Sequence, residues 1–212
     1  MLFFIYNKKE GNDYYAYLSK VKEKGPYKQT LWFGVDLGVY NLVVIADNKG
    51  ESLRFDGEIV KGHKRRLKKK EFNKYTKVGN KISNYSRYIN HVISKEIVKK
   101  AKQYNAGIVL EKLKGLKKSK LNNSTPKNIR RVLHIWSYAD LIEKIEYKAN
   151  LEGVPVVEVS PRNTSKTCSR CGYVNRRLKN ERIFICSKCG LEIDRDLNAA
   201  INIAKKVASK QV

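Results

Sequence analysis

The sequence predicts an α/β fold, a mixed five-stranded sheet with helices on both faces, carrying a small metal-stapled insertion. Two patterns predict the sheet and its helices. Apolar runs of strand length recur between turn residues, and two longer stretches repeat apolar residues at the helical period. The insertion is predicted by the cysteines, since all 4 of the 212-residue chain lie between Cys168 and Cys189.

Residues 1–30 alternate apolar and polar positions weakly around Tyr14, Tyr15 and Tyr17 and break at Gly25-Pro26, which fits a short hairpin or the remnant of a larger N-terminal module. Leu31-Trp32-Phe33-Gly34-Val35-Asp36-Leu37-Gly38 is an apolar run closed by an acid and a glycine. Leu42–Ala46 follows at once, and Asn48-Lys49-Gly50 turns the chain into Ser52–Asp56. Strands joined by such tight turns make an antiparallel meander. After a basic tract from about Lys61 to Lys81, the residues Ile82, Tyr85, Ile89, Val92, Ile93, Ile97 and Ala101 mark one face of a long helix. Gly107–Glu111 has the length and apolarity of a buried strand. Pro126 opens a second helix with Ile129, Leu133, Trp136, Ala139, Ile142, Ile145 and Ala149 on its apolar face, ending near Gly153. Strand Val154–Val159, the cysteine module and a last helix bearing Ala199, Ala200, Ile203, Ala204 and Val207 complete the chain. The expected boundaries are 1–30 for the hairpin, 31–162 for the first part of the core, 163–192 for the insertion and 193–212 for the C-terminal helix.

Three strands, helix, strand, helix, strand, insertion, helix is the element order of the RNase H fold. Within that order, Asp36 and Glu111 each end an apolar strand, and Asp196 stands at the start of the last helix. The strands bearing Asp36 and Glu111 are neighbours in an RNase H sheet, and the last helix crosses the same rim, so the three carboxylates can converge. Phosphodiester hydrolysis uses such a cluster to hold a pair of Mg²⁺ (or Mn²⁺) ions roughly 3.5–4 Å apart, which stabilise the attacking and leaving oxygens. Local explanations also exist. Asp36 before Gly38 fits a turn aspartate, and Asp196 fits a helix-start acid favoured by the dipole. Glu111, after Ile108-Val109-Leu110, has no such local reason to be there.

Cys168-Ser169-Arg170-Cys171 and Cys186-Ser187-Lys188-Cys189 are two C-x-x-C knuckles separated by 14 residues, each followed by a glycine, Gly172 and Gly190. Four thiolates on two tight turns make a closed tetrahedral site, the signature of one structural Zn²⁺. Disulfides are disfavoured for pairs this local in a reducing compartment, and a redox dithiol needs only one C-x-x-C at a helix start. Tyr173, Ile183, Phe184 and Ile185 fit a small β-ribbon that burial alone could not fold.

Lys+Arg 45 against Asp+Glu 20 gives a net charge of +25, which calls for a polyanionic partner, nucleic acid before all. A membrane is not expected, because no apolar run reaches spanning length. The N-terminal run Met1–Tyr6 lacks the leader and cleavage site of a secretion signal, so a cytoplasmic, intracellular protein is expected. Lys64, Arg65, Arg66, Lys68 and Lys69 in one tract and Lys117 and Lys118 in another flank the acids in sequence, and Arg170 makes the ribbon basic. Such residues hold phosphates without reading bases, although any one lysine also fits a solvated face. Tyr75, Tyr85 and Tyr88 are candidates to stack on bases, with Tyr85 at a core-facing spacing.

The strings Gly34-Val35-Asp36-Leu37-Gly38, Val109-Leu110-Glu111-Lys112-Leu113, Thr164 to Gly172, and Phe184 to Gly190 leading into Asp194-Arg195-Asp196-Leu197-Asn198-Ala199-Ala200 resemble the TnpB (OrfB-type) family. These are transposon-encoded, RNA-guided DNA nucleases related to the type V CRISPR effectors. The resemblance runs from about Leu31 to Ala208. It implies a split RuvC site of Asp36, Glu111 and Asp196, a zinc-binding insertion, a DNA substrate and a guide RNA. Asp194 is the rival third acid, and Asp196 is preferred for standing directly before Leu197-Asn198-Ala199-Ala200. Family members usually carry N-terminal recognition and wedge domains, whereas about 30 residues precede the first strand here, so residues 1–30 are expected to be a wedge remnant. Missing recognition parts would come from RNA, another polypeptide or a homodimer. Two further readings remain open: a guide-independent, resolvase-like nuclease, and a non-catalytic RNA- or DNA-binding protein encoded by a mobile element.

Overall fold

The structure, a computed structural model, describes residues 3–10, 13–20, 31–38, 41–58, 62, 79–112, 138–176 and 182–208. The first hairpin pairs β1 (Phe3–Glu10) with β2 (Asp13–Lys20) antiparallel. The main sheet contains β3 (Trp32–Leu37), β4 (Asn41–Ala46), β5 (Ser52–Asp56), β6 (Gly107–Glu111) and β7 (Val156–Val159), in the order β5-β4-β3-β6-β7. β3, β4 and β5 form the antiparallel meander, and β6 and β7 add to β3 in parallel. This is the mixed RNase H-like sheet that the element order predicts.

The helices take opposite faces. On one side α1 (Gly79–Gln103) and α2 (Tyr138–Glu152) close a core of Phe33, Val35, Val43, Ile45, Ile93, Ile97, Ile108, Leu110, Leu141 and Ile145. On the other side α3 (Arg195–Ala208) packs Ile203 and Val207 on Trp32, Val109 and Val159, and Ala200 and Ile201 on Val44 and Ala46. The alternation along β3 and β6 explains the division, because successive side chains leave opposite faces of a strand.

Gly34 decides how close α3 comes. A Cβ there would lie 2.1 Å from the Ala200 carbonyl oxygen and 2.5 Å from the Ala204 nitrogen, so only glycine admits the helix backbone to the sheet.

Two helical expectations need correction. Toward the core α2 turns Leu141, Ile145 and Ala149 with half-buried Ile142 beside them, while Ala139 is exposed, and Ile129, Leu133 and Trp136 lie outside the described residues. On α1, Val92 is exposed and the face toward α2 is partly polar. Buried Asn90 donates to Asp140 at 2.6 Å, and buried Ser94 accepts from Lys148 at 2.8 Å. Apolar periodicity misses such a seam because paired polar groups are buried at little cost. Residues 113–137, including the second basic tract, also lie outside the described residues. No helix among the described residues is long and apolar enough to cross a membrane.

The insertion leaves the core after β7, and β8 (Ile183–Ile185) pairs antiparallel with β9 (Glu192–Asp194), which runs straight into α3. Of the ribbon's apolar residues Phe184 is fully buried, whereas Tyr173, Ile183 and Ile185 are exposed.

Candidate active site and metal centre

The parallel pairing of β3 and β6 matches Gly34 with Val109 and Val35 with Leu110, so Asp36 and Glu111 occupy the next step at the same ends of adjacent strands. Both share strand parity with Gly34 and Val109, which face α3. Both are half-buried.

Asp196 reaches the same rim from the first turn of α3. A Cβ on Gly38, two residues past Asp36, would stand 3.7 Å from Asp196 Oδ2, and Asn41 Nδ2 donates to that oxygen at 2.8 Å. Tyr138 also ties these residues together. Its hydroxyl donates to the Gly38 carbonyl at 2.9 Å, and burial, then the Asp36 and Asp196 carboxylates, push its phenol above the usual range.

Asp194 has a different task. Its Oδ1 accepts from the backbone N–H groups of Asp196 and Leu197, both at 3.0 Å, and its Oδ2 lies 3.5 Å from an Arg54 nitrogen. It is therefore the N-cap of α3, satisfying donors that a helix start leaves unpaired. Asp196, two residues further into the helix, is not the cap.

Glu111 Oε1 accepts from the Thr164 hydroxyl at 2.7 Å. The three acids thus share a face and a rim, but their oxygens do not close on one another within 4.8 Å. Carboxylates repel at short range unless a cation lies between them.

Among the described residues, the four cysteines are the one group of three or more such side chains whose ligand atoms do all lie within 4.8 Å. Cys168 Sγ is 3.6 Å from Cys189 Sγ, and Cys171 Sγ is 3.6 Å from Cys186 Sγ. Zn–S bonds of about 2.3 Å put tetrahedral sulfurs roughly 3.8 Å apart, so the donor set fits zinc. The knuckles repeat one backbone pattern. Gly172 N donates to Cys168 O and Gly190 N to Cys186 O, while Cys168 N and Cys186 N donate to Tyr173 O and Leu191 O. Both glycines have positive φ, +73° and +67°, the left-handed conformation that closes each turn and that glycine adopts without strain. Burial pushes the Cys186 thiol up, but the N–H groups of Cys189 and Lys188 and the neighbouring thiols of Cys168 and Cys189 outweigh it and bring the pKa down to about 6. Cys189 goes the other way: the Leu191 N–H acts downward, but burial and three facing thiols push it up to about 12.

Residues that sequence reasoning passed over join the two sites. Asn198 accepts from Ser169 N at 2.9 Å and donates to Thr167 O at 2.8 Å. Asn202 donates to Thr164 O at 2.9 Å and Thr167 O at 2.6 Å. Two asparagines four apart on an otherwise apolar helix were the available signal; Thr164 entered only as the first residue of a motif string, and Asn41 and Tyr138 carried none. Arg170 is exposed between the first two cysteines. Lys64, Arg65, Arg66, Lys68, Lys69, Lys117, Lys118 and Tyr75 lie outside the described residues. Tyr85 packs against the core, as its spacing implies, and Tyr88 is exposed.

Comparison with known proteins decides the family. A family model described as Cas12f1-like, TNB domain matches residues 138–203. A TnpB-like protein of Aquifex aeolicus is 30% identical over 92% of this chain and 74% of its own length. The chain belongs to the TnpB-like family.

A Cas12f1 endodeoxyribonuclease of Sulfoacidibacillus thermotolerans is 36% identical over 58% of this TnpB-like chain and 28% of its own. The solved Cas12f1–sgRNA–target DNA complex matches 94% of this chain and 55% of that one with a TM-score of 0.68 at 23% identity, which shows a shared fold. The TnpB-like chain spans less than two thirds of most of these relatives, including 41% of one from Methanocaldococcus jannaschii.

Proposed function

We propose that this TnpB-like chain is a divalent-metal-dependent DNA endonuclease whose catalytic residues are Asp36, Glu111 and Asp196. One observation carries the reading: Asp36 and Glu111 each follow the last paired residues, Val35 and Leu110, of neighbouring parallel strands, on the face where α3 brings Asp196 beside Gly38. The relatives support it, since one is a Cas12f1 endodeoxyribonuclease and another is solved with sgRNA and target DNA.

The three carboxylates are the hard oxygen donors that Mg²⁺ or Mn²⁺ prefers. When bound, a pair of such ions supplies a nucleophilic water and charge stabilisation for the leaving oxygen. The chain's own part is to hold the donors still. Asn41 fixes Asp196, Thr164 fixes Glu111, and Tyr138 fixes the loop after Asp36 through Gly38. Hydrolysis joins the water oxygen to phosphorus and breaks the bond to the 3′ oxygen, leaving a 5′-phosphate and a 3′-hydroxyl. The four cysteines hold one structural Zn²⁺, and Arg170 with the two basic tracts grips the phosphate backbone.

The proposed partners are a DNA target, a guide RNA, and a second copy of the chain or another polypeptide. The test is cleavage by the purified chain with and without its copurifying RNA. Asp36→Ala is expected to abolish Mg²⁺-dependent cleavage and leave DNA binding intact; unchanged cleavage refutes the site. Cleavage of branched DNA without RNA would favour the resolvase-like reading instead.

A further inference from the structure

We propose that Thr164 is a positioning residue whose hydroxyl sets the Glu111 carboxylate at the rim, an inference that rests on the metal-dependent reading above. A glutamate at a strand end has its backbone fixed but its side-chain torsions free, and metal-ligating carboxylates are held by outer hydrogen bonds for this reason. Thr164 supplies such a bond. It is 5% exposed, and its Oγ1 lies 2.7 Å from Glu111 Oε1 and 3.0 Å from the Pro161 carbonyl oxygen. A hydroxyl has one proton to donate, and the shorter, charge-assisted bond to the carboxylate takes it.

The hydroxyl is itself placed by the surrounding structure. Asn202 of α3, buried, donates to the Thr164 carbonyl and to that of Thr167. The turn beneath Thr164 is pinned by Lys166 N and Thr167 N donating to Asn163 O, with Asn163 at φ +63°. The same loop continues into Cys168, whose neighbour Ser169 is held by Asn198. The helix that carries Asp196 therefore also fixes the donor to Glu111. Acids contributed by β6 and α3 are held in relation to each other through the path Asn202, Thr164, Glu111, and the cysteine module closes the loop through which that path runs.

The experiment titrates Mn²⁺ alone into the zinc-loaded full chain, read by the loss of the free Mn²⁺ EPR signal. Thr164→Val keeps the shape and removes the donor, so the dissociation constant should rise about tenfold, the effect typical of losing an outer hydrogen bond to a metal ligand. Zinc content and thermal midpoint should not move. Thr164→Ser restores the hydroxyl and should bind within about twofold of the parent. Parent-like binding by Thr164→Val overturns the proposal, as does equal weakening by valine and serine. Should valine disturb the fold, Thr164→Ala against Thr164→Ser makes the same comparison, and equality again overturns it. Asp36→Ala separates this from the reading beneath it. If that variant binds Mn²⁺ as the parent does, the rim is not the metal site; if it loses binding while Thr164→Val keeps it, only the role of Thr164 is lost.

Discussion

Replacing Gly34 by alanine tests the geometry on which the candidate site depends. The added Cβ would stand 2.1 Å from Ala200 O, and ordinary contact begins at 3.4 Å, so α3 must retreat by roughly 1.3 Å. The obstacle is helix backbone, which cannot swing aside as a side chain can. A retreat of that size thins the contacts of Ala200, Ile203, Ala204 and Val207 with the sheet, all of them buried. A radial gap of about 0.5–1 Å already forfeits a quarter to a half of each dispersion contact, so the expected cost is about 3 kcal/mol, the upper part of the overpacking range. The same movement carries Asp196 away from Asp36. A misplacement of about 1 Å is enough to lower a rate about a hundredfold. Urea unfolding followed by tryptophan fluorescence reads the first effect, because Trp32 lies in the same buried cluster as Ile203 and Val207. Cleavage by the surviving folded fraction reads the second. A Gly34→Ala protein that loses under about 0.5 kcal/mol and cleaves at the parent rate would refute the close approach of α3 and the convergence built on it.

Asp194→Ala should cost about 1 kcal/mol of stability through the lost helix cap and leave cleavage within a few-fold, whereas Asp196→Ala should abolish cleavage with little change in stability; the reverse pattern makes Asp194 the third acid. Cys186→Ser should lose zinc and lower the unfolding midpoint, measured by metal content and thermal denaturation, and a variant that stays fully metallated removes zinc from the account. At the α1–α2 seam, burial pushes the Asp140 carboxyl up, but hydrogen bonds from Lys144 and Asn90 outweigh it and hold the pKa below the usual range. Its stabilisation is thus present above about pH 4, the unfolded value, and drains as pH falls through the folded one. The stability gap between the parent and Asp140→Ala should accordingly narrow on acidification below about pH 4, and a gap that widens there contradicts the assignment.

The four-cysteine cluster was almost entirely legible. Four cysteines within 22 residues, two tight knuckles and two trailing glycines leave the chain few other ways to arrange four thiols, since ligand geometry is set locally. The strands that carry Asp36 and Glu111 were legible for a similar reason, each being a short apolar run with its acid at the end. The α1–α2 seam was not. Asn90, Ser94, Asp140 and Lys148 read as surface residues until the facing helix supplies partners. The resemblance favoured Asp196 over Asp194, but the physical difference was equally hidden, because both sit at one helix start and differ in which neighbours their oxygens reach.

From the residues alone came the order of elements, the acids at strand ends, the paired cysteine knuckles and the charge that calls for a polyanion. All of these depend on chemistry carried by a residue and its near neighbours along the chain. Tertiary structure decided which acid caps and which faces the rim, why position 34 must be glycine, and how Thr164 and Asn202 tie the ribbon to Glu111. Those outcomes depend on contacts between segments dozens of residues apart, and a hydrogen bond or a steric limit has no signature in a sequence until both partners have been brought together.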